Sequence, residues 1–468
     1  VSKPPKASPA GPRGGLSPTS LRWLDGGDPA RRKARGQYLT PGPVAEALID
    51  RVDLRPGIRV LDPGVGTGEL LRAVLDREPG AKAFGWDVDV TAIEAARELV
   101  PEADLEVKSA LEAQGPSDPV NGFDLVVGNP PYFQLRLDPA DRERFAAVIS
   151  GRANIFALFF QIGLGQLRPG GALAFIVPPS MNSGAYFEGL REYLTSGAGV
   201  CDLTILEGTD IFEGANTAAQ LLVLKKDSEG QNSNPQAGNA VGRKTRSPGH
   251  NPTHREFVFR REVPEAGFRR VIFSPDPARL ESEFEGRRTI WESGLEAVTG
   301  QVIWNENRDR LVEEPGPGRV RLVWSHDIGE GELREVPGKE GKPAYYDTSG
   351  EGKSPLTGPA IVVNRVVGAV GRGELRAALI PAGEQFLAEN HVNVIRPRSA
   401  EDRGGSGYNQ GGRKSDPPVS EVDWGGVLAS LLRPGLGTRV QLLTGNTQIS
   451  AKELTHLLPL DRNPGTDP

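Results

Sequence analysis

The 468-residue chain carries 37% hydrophobic residues, 59 glycines and 40 prolines at a formal charge of −6. That length exceeds one ordinary domain, and the glycine and proline content points to ordered domains joined by polar pieces that cannot bury enough surface to offset ordering entropy. One cysteine, Cys201, excludes an intrachain disulfide and a cysteine-based zinc site; five scattered histidines give no metal spacing, and no apolar stretch reaches the roughly 18–20 residues that span a bilayer.

Residues 1–35, rich in Pro, Gly, Ser, Lys and Arg, read as a disordered basic tail without an apolar leader, so the cytoplasm is the expected location. From 36 to 226 strand and helix patterns alternate. Strand-like runs are "GIRVLD" (57–62), "AKAFGWDVD" (81–89), "DLEVKSA" (104–110), "FDLVVG" (123–128), "GALAFIVP" (171–178), "CDLTILEG" (201–208) and "AAQLLVLKK" (218–226). Helical spacing fills 68–77, 90–100, 155–167 and 184–196, and Asp89 is placed to cap the second of these. Alternation of this kind predicts an α/β domain with a mainly parallel sheet covered on both faces, and places binding at the carboxyl ends of the strands.

Residues 227–254 are polar and low in complexity, a flexible linker or insertion. A second domain is expected over 255–468, mainly β, with strand-like pieces at 255–263, 319–325, 360–370 and 391–397 and a disordered loop near 399–418. Trp304 and Trp324 suit a core better than a nucleic-acid surface, whereas Arg365, Arg372 and Arg376 are either solvated or able to reach phosphates and guanines.

Two turns carry chemistry. "VLDPGVGTGEL" (60–70) is a strand, a glycine turn and a helix start, a geometry that lets backbone approach a ligand. Asp87, ending the next strand, stands where an acid can accept both hydroxyl protons of a ribose. A turn needed only for helix–sheet packing is the alternative. A nicotinamide dinucleotide competes as the ligand, but the spacing departs from its strict fingerprint. The second turn, Asn129-Pro130-Pro131-Tyr132, follows the core strand "FDLVVG". As bare sequence, it also reads as an ordinary rigid loop.

In this order the motifs resemble the S-adenosylmethionine-dependent DNA N6-adenine methyltransferases of restriction–modification systems, in their gamma arrangement. The resemblance rests on "GQYLTPGPVAEALI" (36–49), "DPGVGTGEL", "NPPY", and "RPGGALAFIVPPSMNSGAYFEGLREYL" (168–194), and covers about 36–226. It implies a Rossmann-like seven-stranded methyltransferase sheet with a second, mainly β, α+β DNA-recognition domain and a basic cleft between the two. It also implies cofactor contacts from Thr40 to the methionine carboxylate, from Asp62, Gly64 and Gly66 in the glycine loop, from Asp87 to the ribose and from Val88 to the adenine. The family often places an acid and an aromatic after the third strand. Here Ser109-Ala110 stand there, so Ser109 is the candidate.

The resemblance assigns catalysis to Asn129, Pro130, Pro131 and Tyr132. An exocyclic adenine amine is a poor nucleophile because its lone pair is delocalised. The Asn129 side-chain oxygen and the Pro130 carbonyl would accept its hydrogens, the prolines would hold both acceptors rigid, and Tyr132 would stack on the flipped-out base. Phe212 matches the aromatic covering the base's other face; its alternative is a core phenylalanine, and Phe133 is a second candidate. No metal is required, and the cofactor product is S-adenosylhomocysteine. Double-stranded DNA and a separately encoded restriction endonuclease are the implied partners, with a monomer sufficient and no membrane association. Protein glutamine N5-methyltransferases and RNA adenine methyltransferases are the rival readings, and a DNA-binding module with a degenerate cofactor site is the non-enzyme one.

Overall fold

A computed structural model describes residues 14–115, 121–208, 211–212, 218–228, 257–334, 341–365, 375–398, 422–445 and 448–461. The linker expected at 227–254 and the loop near 399–418 lie almost wholly or wholly outside these residues. The chain divides into two compact units, Val1–Phe259 with Val271–Pro277, and Arg260–Arg270 with Ala278–Pro468.

The first unit opens with two helices that the sequence reading placed in a disordered tail, α1 (Pro18–Gly26) and α2 (Pro29–Ala34). The physical reason for the correction is capping. The Ser17 side chain accepts from the Ser20 amide and Asp28 from the Ala30 amide, each with proline at the first helical position. The serines and prolines that suggested a tail are therefore helix starts. The buried Leu24 anchors α1 inward.

There follow α3 (Gly42–Ile49), β1 (Arg59–Asp62), α4 (Glu69–Arg77), β2 (Lys82–Asp87), α5 (Val90–Leu99), β3 (Asp104–Val107) and β4 (Phe123–Gly128). A short hairpin, β5 (Gln134–Leu135) with β6 (Ala153–Asn154), frames α6 (Pro139–Arg144). The unit then runs through α7 (Ile155–Gln166), β7 (Leu167–Val177), α8 (Glu188–Gly197), β8 (Ala198–Ile205) and β9 (Gln220–Lys226). The expected sheet forms: seven strands in the order β3-β2-β1-β4-β7-β9-β8. β1 to β4 and β7 are parallel, while β9 runs antiparallel between β7 and β8. Two apolar layers cover it. One is built on the almost wholly buried α7, with Phe156, Leu158 and Phe160; the other comes from α3, α4 and α5, with Leu48, Leu71 and Ile93. Arg191, fully buried in α8, donates to the carbonyls of Val271 (2.5 Å), Met181 (2.7 Å) and Gly184 (2.8 Å).

The second unit holds two five-stranded sheets. One is ordered Leu295–Thr299, Val392–Pro397, Ala360–Asn364, Ala377–Ile380 and Glu330–Gly331. The other is ordered Leu311–Val312, Tyr345–Asp347, Arg319–Val323, Gln385–Ala388 and Leu356–Thr357. Helices Trp424–Leu431, Leu436–Thr444 and Ala451–His456, which the strand-based reading did not locate, share a core with the first sheet through Leu431, Val440 and Leu454. The last begins with a capping box between Ser450 and Glu453. The fold class is thus α/β followed by a mainly β unit with helices.

Candidate active site

The two chemistry-bearing turns end neighbouring strands. β1 and β4 pair with Val60 beside Leu125 and Leu61 beside Val126. Strand order reverses between them, the place where an open α/β sheet leaves a crevice at its carboxyl edge. A cavity of about 350 Å3 lies there, bounded by Gly64, Gly66, Asp87, Val88, Ser109 and Asn129. Its size suits a small-molecule ligand.

The glycine turn owes its shape to left-handed backbone at Gly66 (φ +52°) and Gly68 (φ +93°). At Gly64 a Cβ would stand 3.2 Å from Phe159 Cε1, so any larger residue would push on that ring. The Gly66 amide donates to Asp87 Oδ2 and the Asp89 amide to Asp87 Oδ1, both at 2.9 Å. Each carboxylate oxygen retains a lone pair for a ligand hydroxyl. Burial pushes Asp87 above the ordinary carboxylate range, against the pull of those two amides. Burial likewise pushes Asp62 up to about 7, opposed by the Gly64 amide at 3.0 Å and reinforced by the charge of Asp87. At Asp89 burial acts upward, but hydrogen bonds from Thr91 and Gln37 and the charge of Arg31 hold it below the ordinary value. Arg35 also reaches Asp89 at 3.1 Å.

The second turn is fixed by side-chain bonds. Asn129 Nδ2 donates to the Tyr38 carbonyl at 3.1 Å and the Thr40 hydroxyl at 3.2 Å. A carbonyl only accepts, so the amide has one orientation, with Oδ1 on the opposite side. The Tyr132 hydroxyl shares its proton between Asn129 Oδ1 and the Ile176 carbonyl, both at 2.8 Å. Burial pushes that phenol far above its ordinary value, so it stays a donor. The Tyr132 ring is half-buried and packs edge-on to Phe156. Gly36 (φ +58°) lies against this turn: a Cβ there would stand 3.0 Å from both the Tyr132 amide and the Phe133 ring.

Residues 76–212 match the family model described as Eco57I restriction-modification methylase. Over these residues the chain is similar to a restriction–modification methylase domain. Its relatives include the modification methylase CviBIII of Paramecium bursaria Chlorella virus NC1A, 25% identical over 51% of this chain and 57% of that protein. The type II methyltransferase M.CvrRI of Paramecium bursaria Chlorella virus XZ-6E is 22% identical over 78% of this chain and 83% of its own length. The release factor glutamine methyltransferase of Caulobacter vibrioides is 33% identical, over 29% of this chain and 52% of that protein. The chain thus spans about half the length of two of these relatives.

S-adenosylmethionine, the methyl donor of such a domain, is compatible with the donor set. The cavity offers open backbone at Gly64 and Gly66, carboxylate lone pairs at Asp87 and an apolar side chain at Val88, which is 58% exposed. Among the expected residues, Gly64, Gly66, Asp87, Val88, Ser109, Asn129 and Pro131 line the cavity, while Thr40, Asp62, Pro130 and Tyr132 do not. Thr40 is buried and engaged with Asn129.

Phe212 is 1% exposed and belongs to the core cluster that includes residues of α3 and β9, the position of a core phenylalanine. Phe133 does line the cavity. Sequence reasoning missed Trp23, Arg35, Tyr38, Lys108 and Phe159, which also line it; the Ser-Pro and Asp-Pro cap pairs were the signal that residues before 36 are folded. In the second unit Trp324 is buried, its indole donating to the Pro343 carbonyl at 2.8 Å. Arg376 donates to the Ser325 carbonyl at 2.9 Å, and Arg365 to the Asn390 carbonyl at 3.4 Å. Arg372 lies outside the described residues. Among the described residues there is no group of His, Cys, Asp and Glu able to hold a metal and no helix long and apolar enough to cross a membrane.

Proposed function

We propose that the chain is a site-specific DNA methyltransferase of the gamma arrangement that methylates adenine N6 in a flipped-out base, and serves as the modification enzyme of a restriction–modification system. The observation that carries this reading is the Asn129 amide, held in one orientation at the rim of a cavity whose opposite wall is the glycine turn and Asp87. S-adenosylmethionine supplies an electrophilic methyl group on a sulfonium. Asp87 binds the ribose hydroxyls, and Gly64 and Gly66 admit the methionine portion. Asn129 Oδ1 and the Pro130 carbonyl accept the two amine hydrogens and localise the nitrogen lone pair. The amine nitrogen forms the new bond to the methyl carbon, the carbon–sulfur bond breaks with its electron pair passing to sulfur, and the surplus proton leaves to water. Pro130 and Pro131 keep the acceptors from relaxing, and the Tyr132 ring stacks on the base.

Double-stranded DNA is the proposed substrate and a separately encoded restriction endonuclease the proposed counterpart, with the protein acting as a monomer in the cytoplasm. The second unit serves target recognition. A second reading, methylation of a protein glutamine, is favoured by the glutamine methyltransferase relative, but that similarity stops at 29% of the chain, whereas the M.CvrRI similarity extends over 78%. Incubating the protein with methyl-labelled S-adenosylmethionine and unmethylated DNA, then digesting to nucleosides, tests the proposal. Label in N6-methyladenine is expected; label in another nucleoside, or in a release factor and not in DNA, overturns it.

A further inference from the structure

The cavity has an outer wall that lies before the family-matched residues. Trp23, on α1, lines it together with Val88. Its indole N–H donates to Thr91 Oγ1 at 3.0 Å, in the first turn of α5 directly after Val88 and Asp89. The segment bearing it is tied down at both edges of the cofactor site. Ser20 and Thr67 share a buried 2.6 Å hydroxyl contact and the Ser17 amide donates to Glu69 at 2.8 Å, both beside the glycine turn. Arg35 and Gln37 bind Asp89 beside the ribose acid.

Val88 lines the cavity and is 58% exposed, and Val107, 48% exposed, pairs in register with the neighbouring Asp87. The exposed Val88 and the half-buried Trp23, both lining the cavity, offer a flat apolar group two surfaces to contact. After the third strand the lining residues Ser109, Ala110 and Leu111 include no aromatic ring. The ring face of Trp23 also carries Arg32, 5.7 Å from its centroid, which steadies the indole from outside.

We propose that Trp23 is a further cofactor-binding residue, the aromatic wall against which the adenine of S-adenosylmethionine packs opposite Val88. The inference rests on the cofactor reading above. Base–aromatic stacking of this kind makes an alanine variant bind roughly ten- to a hundredfold more weakly.

The test is calorimetric titration of the full-length protein with S-adenosylhomocysteine and with 5′-methylthioadenosine, which lacks the amino-acid portion. Trp23→Ala is expected to weaken both to a similar degree, because the lost contact is to the nucleoside they share. Trp23→Phe keeps a ring and is expected to stay within about fivefold of the parent while losing the quenching of tryptophan fluorescence that ligand addition causes. Wild-type affinity in Trp23→Ala, loss confined to S-adenosylhomocysteine, or undiminished quenching in Trp23→Phe overturns the inference and leaves the cofactor reading standing. A folded wild-type protein that binds neither ligand overturns the cofactor reading, and the inference with it.

Discussion

The glycine turn after β1 and the Asn-Pro-Pro-Tyr turn after β4 end adjacent strands and face one cavity, yet they are built in opposite ways. The first is defined by what it lacks: side chains are absent at Gly64, Gly66 and Gly68, and two of these adopt left-handed backbone. Its polar work is delegated to the Asp87 carboxylate, which receives the Gly66 and Asp89 amides. The second is defined by restraint. Prolines fix the backbone, and the Asn129 amide is held by Tyr38, Thr40 and Tyr132. A turn that binds a ligand needs open backbone; one that aims two acceptors at a reacting nitrogen needs rigidity. Damage to the second turn is therefore expected to lower turnover, and damage to the first to lower affinity.

The sharpest way to break the comparison is Asn129→Ala. We expect methyl transfer to fall by roughly 10²–10³-fold, the scale seen when one preorganised polar group is removed from an active site, with S-adenosylhomocysteine affinity within about threefold of the parent. A variant that retains turnover shows that the amide is not catalytic. Asp87→Ala is the mirror experiment. Losing charge-assisted hydrogen bonds to a ligand is expected to weaken cofactor binding by roughly ten- to a hundredfold, measured by calorimetry. Near-parental turnover should return at saturating cofactor; failure to recover it would place Asp87 in the chemistry rather than in binding.

Much of this arrangement was legible in the sequence. Alternating apolar periods located β1 to β4, and "DPGVGTGEL" and "NPPY", each ambiguous alone, marked by their order the strand ends that border the cavity. What was not legible was direction. The motif order did not show that Thr40 accepts from Asn129 or that Phe212 lies buried in the core. Side-chain direction is set by packing from elements distant in sequence, which a motif does not encode. Residues 18–34 were misread because capping residues and disorder-promoting residues are the same types. The helices within 424–456 were missed because the second unit was read from its β-branched runs alone.

Between the two turns, Asp62 offers a pH test. Its carboxyl is raised to about 7 by burial, whereas an unfolded aspartate titrates near its ordinary value of 3.8. The native state therefore holds a proton that the unfolded chain has lost between these limits. The stabilisation is complete below about pH 4 and drains away as pH rises through about 7. Asp62→Asn keeps an oxygen to accept from Gly64 and does not titrate. Its stability relative to the parent should increase by about 2 kcal/mol from pH 5 to pH 7.5, read from denaturant unfolding at both values. A constant difference would mean that Asp62 titrates normally and that water reaches it.

The smallest expected effect tests the rigid turn most closely. Tyr132→Phe keeps the ring that is proposed to stack on the base and removes only the hydroxyl proton shared by Asn129 Oδ1 and the Ile176 carbonyl. Two outcomes compete, because that proton does two things. It anchors the turn to β7, so its loss loosens Asn129; it also occupies part of the Oδ1 acceptor, so its loss frees capacity for the target amine. Orientation of the amide is already fixed from the Nδ2 side by an acceptor that cannot reverse its role, so Asn129 should not flip. What is lost is one neutral hydrogen bond, about 0.5–1.5 kcal/mol, which predicts a two- to tenfold fall in kcat with unchanged KM for cofactor and for DNA. A rise in kcat would show that the hydroxyl competes with the substrate for Asn129 Oδ1. A change in KM for DNA alone would move the role of Tyr132 from positioning Asn129 to holding the base.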